Sequence, residues 1–189
     1  MSTSMLMETF LRLAERDHAE LTAMDQAAGD GDFGDNLRGA LRLVVQRMPA
    51  DATAQAELAV AATCFLDEVG GTSGPLIGLL LQEMAAAPTL VEGLTNGIAA
   101  IQRVGEARLG DRTMLDCLIP ARDFLAAHPG DLTGTAEAAA RAASSTSELR
   151  ARAGRASYVG DRAIGTPDAG AMGMALFFAA LAEQERQVA

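Results

Sequence analysis

The feature that most constrains the fold of this chain is an apolar repeat at helical spacing that continues almost from end to end. Leu6, Phe10, Leu13 and Leu21 lie on one face of a first predicted helix, and similar faces recur later. No segment shows the sustained apolar–polar alternation, rich in β-branched residues, that is typical of a half-buried strand. The chain is therefore predicted to be all-α. We place eight helices near residues 5–23, 36–48, 53–69, 75–86, 89–104, 112–127, 133–152 and 169–187.

The connections between these helices are of two kinds. Some are short and plain, such as Met48 to Thr53, whereas those after the first, third, fifth and seventh helices are rich in Gly and Asp. In an antiparallel up-and-down bundle, alternate connections emerge at the same end. We therefore expect one domain, residues 1–189, with a functional site built from four loops at one end. These loops are Asp25 to Asp35, Gly70 to Pro75, Gly105 to Asp111 and Gly154 to Gly170.

The first of these loops concentrates negative charge. Asp25, Asp30, Asp32 and Asp35 fall within eleven residues. Clustered carboxylates repel one another without a cation, and oxygen ligands with glycine between them suit Mg²⁺ or Ca²⁺. An EF-hand is excluded, because counting from Asp30 puts Leu41 where a bidentate Glu is required. A solvated turn that caps the next helix is the alternative to a metal site.

The charge composition excludes other ways of binding phosphate. The net charge is −10, which disfavours nucleic acid as a partner because phosphate contacts need clustered cations. All 15 basic residues are Arg. A Walker A phosphate loop requires its Lys, so any cation on a phosphate here must be an Arg, a backbone N–H or a metal.

The chain carries no sign of export or membrane insertion. Met1 to Phe10 lacks the basic and apolar regions of a signal peptide, and the apolar run Ala171 to Leu181 is too short to span a bilayer. Cys64 and Cys117 stand in apolar surroundings without metal-ligand spacing. Two buried free thiols in a cytoplasmic protein with no membrane partner are the expectation.

The second and third loops each allow a functional and a structural interpretation. In Gly70-Gly-Thr-Ser-Gly-Pro75, backbone N–H groups together with Thr72 and Ser73 could bind an anion at a helix N-terminus. A glycine-rich turn between helices explains the same residues. In Gly110-Asp-Arg-Thr-Met114, Asp111 or Thr113 could be a helix cap.

The fourth loop is long for a structureless segment in a compact domain, which favours function. It begins Gly154-Arg-Ala-Ser-Tyr158, and its Arg155 and Arg162 are candidates for contact with phosphate. Surface salt bridges with Asp161 and Asp168 are the alternative.

Taken together, the four motifs resemble those of the L subunit of dihydroxyacetone kinase (DhaL). The resemblance covers essentially the whole chain, in order, through Asp25 with Gly29-Asp-Gly-Asp32, and through the runs at 70–75, 110–114 and 154–158. It implies an eight-helix antiparallel barrel in which a bound nucleotide caps one end. It also implies a phosphotransferase that uses ADP or ATP with two Mg²⁺ ions.

The resemblance also implies particular site residues. Asp25, Asp30 and Asp32 match the carboxylates that hold Mg²⁺, and with Arg155 they would form the catalytic group. Where bacterial relatives often have His, this chain has Phe33, so a contact through a ring nitrogen is lost. The positions that match the ADP site are Phe33, Gly34, Asp35, Asn36, Thr72, Ser73, Gly105, Met114, Arg155, Asp168, Ala169 and Gly170.

Partners are likewise implied by the resemblance. Dihydroxyacetone would be held on a separate K subunit, and a phosphohistidine protein of the phosphotransferase system, the M subunit, would recharge a retained ADP. Two further partners are possible: a transcription regulator, and a second copy of the chain with which it would form a homodimer. Three alternatives remain: an ATP-exchanging kinase subunit for another small ketose or polyol, an ADP-state regulatory module, and a helical bundle with a Ca²⁺-stabilised loop.

Overall fold

Helices form the regular secondary structure of this chain throughout residues 6–188, the part described by a computed structural model. The all-α prediction is confirmed over that range. Three short 3₁₀ turns, at Thr146–Glu148, Arg155–Tyr158 and Gly160–Ala163, lie between the last two α-helices. The α-helices are α1 (Leu6–Arg16), α2 (His18–Ala28), α3 (Phe33–Arg47), α4 (Ala54–Glu68), α5 (Ser73–Ala86), α6 (Leu90–Gly105), α7 (Leu115–Ala127), α8 (Leu132–Ser145) and α9 (Ala169–Val188).

The predicted first helix is divided into α1 and α2 by a bend at Asp17. Helical hydrogen bonds continue on both sides of the bend, from Asp17 N to Leu13 O (3.1 Å) and from Leu21 N to Asp17 O (3.0 Å). The pair is therefore one bent rod, and the eight predicted helices correspond to eight rods among the described residues. Met5, the predicted first residue, lies outside the described residues.

The first Gly- and Asp-rich loop is much shorter than predicted. Asp25 lies on the last turn of α2, and α3 begins at Phe33, so only residues 29–32 connect the two helices. The carboxylate of Asp25 accepts a hydrogen bond from Phe33 N at 3.1 Å, and its carbonyl accepts one from Gly29 N at 2.5 Å. Asp25 thereby joins both helix ends, a contact that the sequence pattern did not reveal.

Helix α8 ends seven residues before its predicted end at residue 152. A run of hydroxyl side chains explains the stop, because these groups bond preceding carbonyls and compete with the helical ladder. Ser145 Oγ donates to Ala142 O (2.8 Å) and Thr146 Oγ1 to Ala143 O (2.5 Å). The predicted first helix, placed near residues 5–23, continues instead to Ala28, and the remaining predicted boundaries lie within about three residues of those observed.

The rods pack in chain order, each contacting the next, and α9 packs back against α1 and α2. Their shared core is apolar and includes an edge-to-face pair, Phe10 and Phe177, with ring centroids 5.6 Å apart. Cys64 and Cys117 are both buried and free, as expected. Closure into a regular barrel stays a prediction. Within the described residues, none of the helices has the length and hydropathy needed to cross a bilayer.

Replacing either of two glycines on α3 with alanine should change the free energy of unfolding, in opposite directions at the two positions. At Gly34 a Cβ atom would lie 3.0 Å from His18 O and 3.2 Å from Thr22 N, both backbone atoms of α2, whereas at Gly39 it would meet nothing within 4 Å. We expect Gly34→Ala to lower the free energy of unfolding by about 1–3 kcal/mol, because α3 must move away from α2. Gly39→Ala should raise it by about 0.5–1 kcal/mol through helix propensity.

Urea denaturation of both variants measures the difference. Equal effects of the two substitutions would show that α2 and α3 are not in such close contact.

Candidate functional site

Three carboxylates converge where α2 meets α3. Asp25, Asp30 and Asp32 each place one oxygen so that the three atoms lie within 4.8 Å of one another. Asp25 and Asp32 are partly buried, and Asp30 is exposed. The four-residue connection turns sharply enough for this because Gly31 adopts a positive φ of 81°. We refer to these three residues as the carboxylate cluster.

Arg155, from the fourth connection, supplies the positive charge nearest to this cluster. Its Nη1 forms an ion pair with the Asp30 carboxylate, and its Nη2 lies 3.4 Å from Asp32 Oδ1. The alternative of surface pairs with Asp161 or Asp168 is wrong for Arg155, and Asp161 pairs with Arg150 instead. Arg155 therefore links two loops that are more than a hundred residues apart in sequence.

A cavity opens beside the carboxylate cluster. Its empty space, with the open mouth and the solvent in it included, amounts to about 950 Å³. All four Gly-rich connections contribute to its wall, so the expectation that they gather at one place is confirmed. Apolar side chains such as Leu76, Ile101 and Met114 line part of it, and Asp25, Asp32 and Arg155 line another part. We call it the main cavity.

The third connection places a second arginine in the cavity wall. Asp116 accepts hydrogen bonds from Gly110 N (2.5 Å) and Thr113 N (2.8 Å), which fold the backbone around Arg112. Arg112 is 1% exposed and has a positive φ of 62°, a conformation that residues other than glycine rarely adopt. Its Nη2 donates to the carbonyls of Ala163 and Thr166, at 3.2 and 2.8 Å.

Asp168 stands at the start of α9, where it also lines the main cavity. Its Oδ2 accepts from Ala171 N at 2.8 Å, and its own N–H donates to Thr146 Oγ1 at 2.8 Å. Burial raises the pKa of Asp168 to about 6, although the hydrogen bond from Ala171 and the nearby Arg112 guanidinium oppose the rise. The carboxylates of Asp116 and Asp25 raise this pKa further.

The structure brings most of the predicted ADP-site residues to the main cavity. Asn36 lines a smaller cavity next to it, which shares Asp32, Phe33, Ser73 and Arg155 with the main one. The predicted residues on the main cavity wall are Asp25, Asp32, Phe33, Thr72, Ser73, Gly105, Met114, Arg155, Asp168, Ala169 and Gly170.

Besides Asn36, three predicted residues lie off the main cavity wall. Asp30 belongs to the carboxylate cluster, and Gly34 packs against α2. Asp35 is exposed and bonds His18 Nε2 at 2.9 Å and Arg38 Nη2 at 2.6 Å. The side chain of Asp35, which the resemblance placed at the ADP site, is therefore engaged with residues of α2 and α3.

Arg112 and Asp116 are the residues that sequence reasoning missed. A signal was present, because the chain has no Lys and Arg112 lies within a Gly-flanked motif. The burial of Arg112 and its long-range bonds to the fourth connection are tertiary properties. They could not be derived from spacing alone.

The fold matches that of the dihydroxyacetone kinase of Citrobacter freundii, in a crystal structure with AMP-PNP and Mg²⁺. The TM-score is 0.77 and the identity 29%, over 94% of this chain and 33% of that one. A family model, the DAK2 domain, matches residues 27–183, and the chain belongs to that family.

Two further relatives differ in length and in name. The chain is 37% identical to the "PEP-dependent dihydroxyacetone kinase 1, ADP-binding subunit DhaL" of Listeria innocua, over 87% of this chain and 86% of that protein. It is 36% identical to the "L-erythrulose 1-kinase" of Mycolicibacterium smegmatis, over 94% of this chain and 34% of that protein. The chain thus spans about a third of the longer kinases and most of the Listeria subunit.

Replacing Arg155 should change cation binding and nucleotide binding in opposite directions. Because its guanidinium pairs with Asp30 and Asp32, it competes with any cation for the carboxylate cluster. We expect Arg155→Met to tighten binding of Mg²⁺ alone by about 3- to 10-fold, the value of one or two exposed ion pairs. The same variant should bind Mg·ADP about 10-fold more weakly, because the charge-assisted contact that we predict between Arg155 and phosphate would be lost.

Isothermal calorimetry with each ligand measures both effects. Arg150→Met, which removes an exposed arginine paired with Asp161, is the control. A loss of Mg²⁺ affinity in Arg155→Met would contradict the competition.

Neutralising Asp168 should stabilise the protein above pH 6. Its pKa in the folded state, about 6, exceeds the ordinary 3.8, so the folded protein holds a proton that the unfolded chain releases between these values. Stability therefore falls as the pH rises through this window. Asp168→Asn keeps a side chain that can cap α9. At pH 7.5 we expect its free energy of unfolding to exceed that of the wild type, by less than about 3 kcal/mol.

At pH 4 the wild type and Asp168→Asn should be nearly equal, since Asp168 is then protonated in the folded protein. Denaturant titrations at both pH values test this. Lower stability of the variant at pH 7.5 would show that ionised Asp168 is not penalised by its surroundings.

Proposed function

We propose that this chain is the nucleotide-binding, phosphoryl-transferring unit of a dihydroxyacetone-type kinase. The observation that carries the proposal is the position of the carboxylate cluster at the edge of the main cavity, where Asp25 and Asp32 belong to both. A nucleotide needs an apolar wall for its base and cationic groups for its phosphates. Relatives named as kinases, one of them crystallised with AMP-PNP and Mg²⁺, support this assignment.

The donor set fits Mg²⁺. Carboxylate oxygens are the ligands that hard divalent cations prefer, and three of them lie within 4.8 Å of one another in Asp25, Asp30 and Asp32. These residues would hold the metal, and we propose two ions, shared with the phosphates. Bound Mg²⁺ would neutralise charge on the transferring phosphoryl group, which is the main demand of this chemistry.

The residues of the chain itself bind and orient the nucleotide. Leu76, Ile101 and Met114 offer an apolar surface for the base. Thr72 and Ser73 stand at the start of α5, where Thr72 makes no capping bond through its side chain. The N–H groups of that first turn are thus available for phosphate oxygens, favoured by the helix dipole.

We propose that the phosphoryl acceptor is bound by a partner. Among the described residues, those that line the main cavity include no histidine to act as base or phosphoryl carrier. His18 bonds Asp35, and His128 stacks on Phe124 at the C-terminal end of α7. Dihydroxyacetone on a separate K subunit, and recharging of ADP by a phosphohistidine protein of the phosphotransferase system, are consistent with the name of the Listeria relative.

A second candidate is an ATP-exchanging kinase unit for another small ketose. Its support is the 36% identity to the L-erythrulose 1-kinase of M. smegmatis, which is similar to the identity with the Listeria subunit. The two candidates differ in how long the nucleotide stays bound. Exchange of labelled ADP within seconds favours an ATP-dependent kinase, whereas retention over many turnovers favours recharging in place.

Neutralising the carboxylate cluster should abolish nucleotide binding without unfolding the protein. In Asp30→Asn and Asp32→Asn we expect the affinity for Mg·ADP to fall at least about 100-fold, because the cation shared by protein and phosphates loses a charged ligand. Asp35→Asn is the matched control, since Asp35 is an acid of the same segment whose side chain pairs with His18 and Arg38.

Calorimetric titration with Mg·ADP, with helical circular dichroism as a check on folding, provides the measurement. Wild-type affinity in Asp30→Asn or Asp32→Asn would remove the basis of the proposal.

A further inference from the structure

Arg112 is a buried cation whose hydrogen-bonding capacity is only partly used. Its Nη2 bonds the carbonyls of Ala163 and Thr166. Its Nε and Nη1 are also buried, yet they have no acceptor among the described residues. A buried guanidinium N–H without a partner costs free energy, so an acceptor that reached either of these donors would be bound favourably.

The position of Arg112 indicates where such an acceptor would come from. Arg112 is part of the main cavity wall, on which Asp25 and Asp32 of the carboxylate cluster also lie. It acts electrostatically on Asp168, and Asp168 in turn is affected by Asp25. Arg112 therefore shares one cavity with two members of the carboxylate cluster.

Few other cations are available to an anion in this cavity. The chain contains no Lys, and among the described residues that line the main cavity only Arg112 and Arg155 are positively charged. Arg155 is paired with Asp30 and Asp32, whereas Arg112 has unpartnered N–H groups at Nε and Nη1. These N–H groups point to different sides of the guanidinium, with Cδ between them, so each can donate a charge-assisted hydrogen bond to a separate oxygen.

We propose that Arg112 binds a phosphate group of the ligand through one of its unpartnered donors, Nε–H or Nη1–H. The inference rests on the proposed nucleotide function and adds a binding residue to it. Asp116 holds the connection in the strained shape that turns Arg112 inward, and the carbonyls of Ala163 and Thr166 fix the guanidinium plane. The strain at φ 62° is thereby maintained at a binding site, where such strain often occurs.

The test compares ligands that contain phosphate with one that lacks it. Calorimetry measures the affinities of wild type, Arg112→Gln and Arg112→Lys for Mg·ADP, Mg·pyrophosphate and adenosine, with thermal melting as a folding check. We expect Arg112→Gln to weaken both phosphate ligands by about 10- to 100-fold and to leave adenosine unchanged. Arg112→Lys, which keeps the charge without the planar guanidinium, should fall between. Arg108→Gln, an exposed arginine of the same connection, should bind like wild type.

Each other outcome is decisive. An equal loss of affinity for Mg·ADP and adenosine would show that Arg112 only stabilises the contact between two loops. No loss of affinity would place Arg112 outside the site. Either result overturns the inference. Should Arg112→Gln fail to fold, the ratio of ADP to adenosine affinity in Arg112→Lys decides in the same way.

The pyrophosphate measurement separates this inference from the proposed function. Suppose that the protein binds pyrophosphate in a way that depends on Arg112 but does not bind ADP. This result would support the phosphate contact and remove the nucleotide assignment. Failure of the wild type to bind any phosphate ligand would overturn both.

Discussion

Three carboxylate oxygens within 4.8 Å of one another repel strongly, and several contacts of the surrounding structure offset that repulsion. Asp25 accepts a hydrogen bond from Phe33 N, which offsets part of its charge and joins α2 to α3. Arg155 crosses from a distant connection to pair with Asp30 and Asp32. Because clustered carboxylates are unfavourable without positive charge, this arrangement supports the proposal that the cluster binds a cation.

The helical scaffold determines which segments can surround such a cation. Eight rods packed in chain order leave every second connection at the same cavity, and those connections are the ones rich in Gly and Asp. Rigid helices thus hold short, polar loops against one another, an arrangement in which binding sites commonly form. Residues from 24 to 170 meet there because the rods bring them together.

All basic residues of this protein are arginines, and the two that line the main cavity differ in burial and in partners. Arg155 is partly exposed and pairs with acids, so it can exchange partners when a ligand arrives. Arg112 is buried and held by backbone carbonyls, so its direction is fixed before binding. If the proposed phosphate site exists, Arg155 would supply an exchangeable counter-ion and Arg112 a guanidinium whose direction is already fixed.

The sequence by itself determined the helical fold, the position of the Gly- and Asp-rich connections and the three acids of the cluster. Apolar spacing and residue type carry that information locally. Only the tertiary structure showed that Asp25 lies on a helix, that Asp35 turns toward His18, and that Arg112 is buried with donors to spare. The direction and partners of a side chain depend on residues far away in sequence, and such contacts exist only once the helices have packed.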